Sequence, residues 1–166
     1  MRNVIGEMRD VRPIKITIAS SPEDFAAGAR LISEYRREFY EVLCLQNIDV
    51  ELQELALRYS PPNSQFFLLK EAETALACAI LKRFSVEMVE LKRMYIKSEA
   101  RGKGYSKILM DQVIQTARDL DFRRMVLDTV PIMSTAIQLY EKYGFQQREA
   151  YYESPLEDVL FYELIL

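Results

Sequence analysis

The chain of 166 residues contains no histidine. That absence removes Ser-His-Asp and Cys-His hydrolysis, His-ligated zinc and imidazole acid–base catalysis together. Any catalysis must rest on Glu, Asp, Tyr, Lys or backbone groups. Cysteine is nearly as scarce. Cys44 and Cys78 are the two present, and they do not form a CxxC pair, which argues against a metal site. Both lie in apolar runs, residues 42–45 and 76–81, the usual setting of reduced, buried thiols, so a cytoplasmic location is expected. The chain also lacks the run of about 20 apolar residues that spans a bilayer, and residues 1–13 lack the continuous apolar stretch of a signal peptide. A soluble protein with no membrane partner is the expectation. No internal repeat, low-complexity tract or interdomain linker is visible.

What is present is 49% hydrophobic residues, enough for one core, and the chain reads as a single domain over residues 1–166 with residues 1–13 as a loose N-terminal extension. A net charge of -3 disfavours a nucleic-acid partner, because such binding neutralises many phosphates. The basic residues are nevertheless clustered: Lys92, Arg93, Lys97, Arg101, Lys103 and Lys107 fall in one short stretch. A small anionic ligand suits that cluster better than a polymer.

Periodicity orders the elements. Residues 14–19 alternate as a strand with Ile14, Ile16 and Ile18 on one face. Ser21, Pro22, Glu23 and Asp24 then supply a cap, a first-turn proline and two acids for a helix start. Phe25, Ala29, Ile32, Phe39 and Leu43 continue that helix at helical spacing. A second helix is expected over 50–58, and a hairpin of strands over 66–69 and 75–83 after the Pro61-Pro62 break. A strand over 87–96, a helix over 108–120 and a strand over 125–130 read as strand, crossover helix and parallel strand. A short helix over 134–142, stopped by Gly144, precedes two closing strands over 145–152 and 159–166. The expected fold is a mixed α/β domain with antiparallel strands flanking one parallel crossover.

The most informative seven residues are Arg101-Gly102-Lys103-Gly104-Tyr105-Ser106-Lys107, between strand and helix. Gly102 and Gly104 let the backbone approach a ligand, and the first amides of the following helix have no internal partner, so the turn is a cradle for a pyrophosphate. It is neither a P-loop nor a dinucleotide fingerprint, which would need a third glycine where Lys107 stands. Of the basic cluster, Arg101, Lys103 and Lys107 suit the anion best.

Arg101 and Gly104 have the spacing of the Arg/Gln-x-x-Gly-x-Gly/Ala signature of the GNAT acetyltransferase superfamily, and the chain resembles that family in two further blocks. Glu90-Leu91-Lys92-Arg93-Met94-Tyr95-Ile96 is similar to the strand before the signature. Ala-Ile-Gln-Leu-Tyr-Glu-Lys-Tyr-Gly-Phe, residues 136–145, is similar to the family's late helix and turn. The resemblance covers roughly residues 66–166. Ser106 replaces the usual glycine or alanine, and Ser134 stands where many relatives carry a cofactor-contacting asparagine.

The resemblance implies a GNAT-like, mostly antiparallel sheet and an acetyl-coenzyme A site between two splayed strands, with acetyl transfer to an amine by direct attack. On that reading Met94 and Ile96 offer backbone contacts to the pantetheine arm, Arg101 to Lys107 hold the pyrophosphate, and no metal is required. Tyr140 matches a tyrosine that protonates the coenzyme thiolate, or it packs with Ala136 and Ile137 at helical spacing. Glu90 is a candidate base, or a strand-face partner of Lys92. Asp128-Thr129 ends a strand beside the cofactor gap, where Asp128 either positions the acceptor or caps a local turn, and Tyr151, Tyr152 and Tyr162 either line an acceptor pocket or pack at strand spacing. The alternative is a non-catalytic coenzyme A-binding sensor or interaction domain. Neither the amine nor the oligomeric state is written in these residues, although dimers are common in that family.

Overall fold

In the computed structural model, which describes residues 13–39 and 47–166, the chain runs as β1 Ile14–Ile18, α1 Pro22–Glu38, α2 Ile48–Gln53, α3 Leu55–Arg58, β2 Ser64–Glu71 and β3 Thr74–Arg83. It continues as β4 Met88–Ile96, a 3-10 turn Ser98–Ala100, α4 Tyr105–Asp119, β5 Arg124–Thr129, α5 Ser134–Lys142, β6 Gln146–Arg148 and β7 Leu160–Ile165. The seven strands form one sheet in the order β1-β2-β3-β4-β5-β7-β6. Every neighbouring pair is antiparallel except β4 and β5. Those two strands are joined by the crossover helix α4, as parallel strands require.

Both sheet faces are covered. Leu109, Met110, Val113 and Ala117 of α4 pack with Val89, Leu91, Met125 and Leu127 on one face. On the other, Leu31 and Ile32 of α1 pack with Ile48, Leu55, Phe66, Cys78, Ile80 and Tyr95. The start of α1 is fixed as its sequence suggests. Asp24 N–H donates to Ser21 Oγ at 3.1 Å, and the Asp24 carboxylate accepts from the Ser21 amide at 3.4 Å. Its other oxygen takes Lys70 Nζ of β2 at 2.7 Å, tying the capping box to the sheet.

Several elements depart from their periodicity. The helix expected over 50–58 breaks at Glu54, where φ is -119°. Ile48, Leu55 and Tyr59 stay buried on both sides of the break, so apolar spacing carries no sign of it. Ile14 and Ile16 pack on the α4-side core, whereas Ile18 lies beyond it and is 41% exposed. β6 stops at Arg148 rather than continuing to Tyr152, because Tyr151 and Tyr152 turn away to pack on Phe161 at 5.2 and 5.3 Å. α1 ends at Glu38; Leu43 and Cys44 lie outside the described residues. Among the described residues, no helix is long and apolar enough to cross a membrane.

Candidate active site

β4 and β5 begin as a regular parallel ladder, pairing Met88 with Arg124, Val89 with Met125 and Glu90 with Val126, and there the register ends. Both strands run on, β4 to Ile96 and β5 to Thr129. The sequence resemblance implies splayed strands, and a β-bulge accounts for them. Against β3, Tyr95 pairs with Cys78 but Lys92 pairs with Ile80, so β4 spends an extra residue there. Arg93 takes φ +51° at the bulge, which bends the strand and increases its twist.

The bulge is clamped. Arg93 donates through Nε to Glu51 Oε1 at 2.9 Å and through Nη2 to Oε2 at 2.7 Å, and each side chain is 10% exposed. The Cys78 thiol donates to the Arg93 carbonyl at 3.4 Å. Burial pushes that thiol up to about 12, so it is protonated and sealed.

A cavity of about 830 Å³ occupies the gap between the strands. At one end lies the glycine turn. Gly102 and Gly104 adopt φ +75° and +80°, and Gly104 starts α4 in the left-handed region. Among the described residues, a Cβ built on either would meet nothing within 4 Å. Arg101, Gly102, Gly104 and Ser106 line the cavity, as do Met94 and Ile96 of β4. Lys103 and Lys107 are not on its wall. Lys107 pairs with Asp111 at 2.6 Å, and Lys103 Nζ sits 5.9 Å from the centre of the Tyr105 ring.

Most of the basic cluster already faces carboxylates: Lys92 meets Glu90 at 3.5 Å, Lys97 meets Glu99 at 3.2 Å, and Arg101 meets Glu38 at 2.7 Å. Arg101 also donates to the Ile96 carbonyl at 3.1 Å, so this guanidinium joins the end of β4 to the end of α1. Its hydrogen bond is the main reason that the Glu38 carboxyl stays below its usual range.

Tyr140 and Glu90 reach the same cavity from different elements. Tyr140 projects from α5, packs 5.7 Å from Phe145 and is 8% exposed. Burial, then the nearby Tyr35 and Asp128, push its phenol well above the usual tyrosine range. Glu90 is 6% exposed. It accepts a hydrogen bond from Tyr151 Oη at 2.9 Å in addition to the Lys92 contact. Burial first, and then Glu90, raise the Tyr151 phenol, so it remains a donor.

Three features escape sequence reasoning. The Glu38–Arg101 and Tyr151–Glu90 contacts join residues 63 and 61 positions apart. Thr129 Oγ1 is buried on the cavity wall and has no hydrogen-bond partner among the described residues, an orphan that a ligand can satisfy. Its position at the end of β5 was the one available signal. Of the acceptor-side candidates, Asp128 and Tyr152 line the cavity, Tyr151 packs behind Phe84, and Tyr162 lies in the α4-side core.

The Acetyltransferase (GNAT) family model matches residues 29–145. An uncharacterized N-acetyltransferase of Schizosaccharomyces pombe is 33% identical over 153 residues, covering 91% of this chain and 94% of its own length. The solved structure of an acetyltransferase from Streptococcus agalactiae 2603 is similar with a TM-score of 0.78 at 22% identity, over 92% of this chain and 98% of that one. A GNAT family acetyltransferase from Elizabethkingia anophelis, solved with acetyl-CoA bound, gives a TM-score of 0.64 at 20% identity over 92% and 98%.

Proposed function

The chain belongs to the GNAT family of acetyltransferases, and from that premise we propose that it transfers an acetyl group from acetyl-coenzyme A to an amine by direct attack in a ternary complex. The observation that carries this reading is the parting of β4 from β5 beyond Glu90 and Val126. An open strand edge can pair with the amide-bearing pantetheine arm as it would with another strand. Met94 and Ile96 supply that edge. The Thr129 hydroxyl across the gap, without a partner among the described residues, fits the same polar arm, and the glycine turn fits the pyrophosphate. Ser106 adds a small hydroxyl, and Arg101 adds charge once it exchanges Glu38 for phosphate. Lys103 and Lys107, on the solvent side, contribute at longer range.

Acetyl-coenzyme A, when bound, supplies an activated thioester. A β4 amide on the open edge stabilises negative charge on its carbonyl oxygen. Glu90 takes the proton of the incoming ammonium, directly or through water, and Tyr140 gives one to the departing thiolate. A covalent cysteine route is disfavoured at Cys78, whose thiol is sealed and protonated. Release of free thiol in the presence of an amine tests the reading, since a coenzyme A sensor would bind without turnover.

Gly104→Val tests the cradle. Valine at φ +80° is strained by about 1–3 kcal/mol, and its side chain adds bulk at the turn. The folded variant should bind coenzyme A about tenfold or more weakly by titration calorimetry. Wild-type affinity in that variant would remove the turn from the binding site.

Glu90→Gln tests the base while retaining an acceptor for Tyr151. Coenzyme A affinity should hold, and kcat/KM should fall about 10²-fold near neutral pH, where an alkyl amine is mostly protonated. The deficit should shrink as pH rises and solution supplies more neutral amine. Superimposable pH–rate profiles would leave Glu90 as a structural partner of Tyr151 and Lys92.

A further inference from the structure

The cavity has a second end, across the sheet from α4, with its own chemistry. Glu90 and Asp128 lie on the neighbouring strands β4 and β5 and both reach the cavity wall. They share that wall with Phe84, Tyr152, Ile132 and Leu156. Phe84 belongs to a continuous edge-to-face array: it meets Tyr151 at 5.2 Å and 89°, Tyr151 meets Tyr152 at 5.2 Å, and Tyr152 meets Phe161 at 5.3 Å and 84°. Two of the apolar wall residues are open to water, Phe84 at 44% and Ile132 at 69% exposure. An exposed apolar rim above two carboxylates is a specific combination.

Resting on the acetyl-transfer reading, we propose that the amine acceptor is an arylalkylamine: a primary ammonium on a short alkyl arm of an aromatic ring, with no carboxylate of its own. The ammonium is drawn to Glu90 and Asp128. The ring joins the array at Phe84 and Tyr152, where edge-to-face contacts and apolar burial favour it. An α-amino acid places a carboxylate beside the amine, facing Glu90 and Asp128. The cations on that side are committed, Lys92 to Glu90 at 3.5 Å and Arg93 to Glu51 at 2.7 Å. A polyamine fits the carboxylates with its first nitrogen, but its thin methylene chain covers less of the apolar surface of Phe84, Ile132 and Leu156 than a ring does.

The test is a thiol-release assay on the full chain with acetyl-coenzyme A and four acceptors: 2-phenylethylamine, phenylalanine, ethylamine and spermidine. Phenylethylamine should exceed each of the others by about tenfold or more in kcat/KM, the scale on which a binding pocket discriminates. Phenylalanine isolates the carboxylate and ethylamine isolates the ring. Phe84→Ala and Ile132→Ala alter exposed side chains, and each should lower the phenylethylamine-to-ethylamine ratio, by about fivefold to tenfold for Phe84. A preference for spermidine, phenylalanine or ethylamine, or an unchanged ratio in both variants, overturns the aryl-amine site and leaves acetyl transfer standing. A chain that binds coenzyme A yet releases no thiol with any amine overturns both.

Discussion

Tyr140→Phe should leave the fold and coenzyme A affinity close to wild type and lower turnover about 10²-fold. The substitution keeps the ring, with its 5.7 Å contact to Phe145, and removes only the hydroxyl. Burial and the nearby Asp128 hold that phenol above its usual range, so it is protonated at any pH at which an amine acetyltransferase works. A high pKa makes Tyr140 a standing donor that cannot lose its proton to solvent, but a reluctant acid. As the C–N bond forms and the C–S bond breaks, Tyr140 gives its proton to the leaving sulfur, and the positively charged acylated nitrogen sheds one that restores the phenol. Glu90 passes the proton of the original ammonium to water. Burst and single-turnover measurements should place the loss in the chemical step. Unchanged turnover, with chemistry rate-limiting, would assign Tyr140 to packing in α5.

What could be read from the chain divides along local and long-range lines. The hairpin β2–β3, the crossover through α4 and the helix Ser134–Lys142 each announce themselves through periodicity, caps or a stopping glycine within a few residues. The glycine turn is equally local, and the φ values of Gly102 and Gly104 are what that residue type allows. The bulge is not local. It puts an arginine at φ +51°, a backbone state that arginine does not favour, and its clamp comes from Glu51, 42 positions away. The parting of β4 from β5 is therefore legible in the chain only through the family resemblance. Proximity in sequence also leaves the basic residues' partners unread: Lys92, Lys97 and Lys107 turn to separate carboxylates in space.

Glu51→Ala should be the most destabilising of these substitutions, by about 3–5 kcal/mol in urea or thermal unfolding, because it removes a buried carboxylate and the two charged hydrogen bonds by which it holds Arg93. The pair is 10% exposed on each side, so solvent can do little to replace the lost partner. The damage should extend to ligand binding. Arg93 sits on the bulge that turns β4 away from β5, so loosening it should relax the cavity and weaken coenzyme A binding in whatever fraction stays folded. Acid should reproduce part of this in the wild type. Burial pushes the Glu51 carboxyl up, but the hydrogen bonds and charge of Arg93 outweigh it and leave the group below its ordinary value of 4.5. A depressed carboxyl contributes stability that is complete above its unfolded value and fades as pH falls through the folded one. The stability gap between wild type and Glu51→Ala should therefore be constant near neutrality and narrow below about pH 4.5. Stability curves that stay parallel through that acid range would mean that an ionised Glu51 is not what holds the bulge.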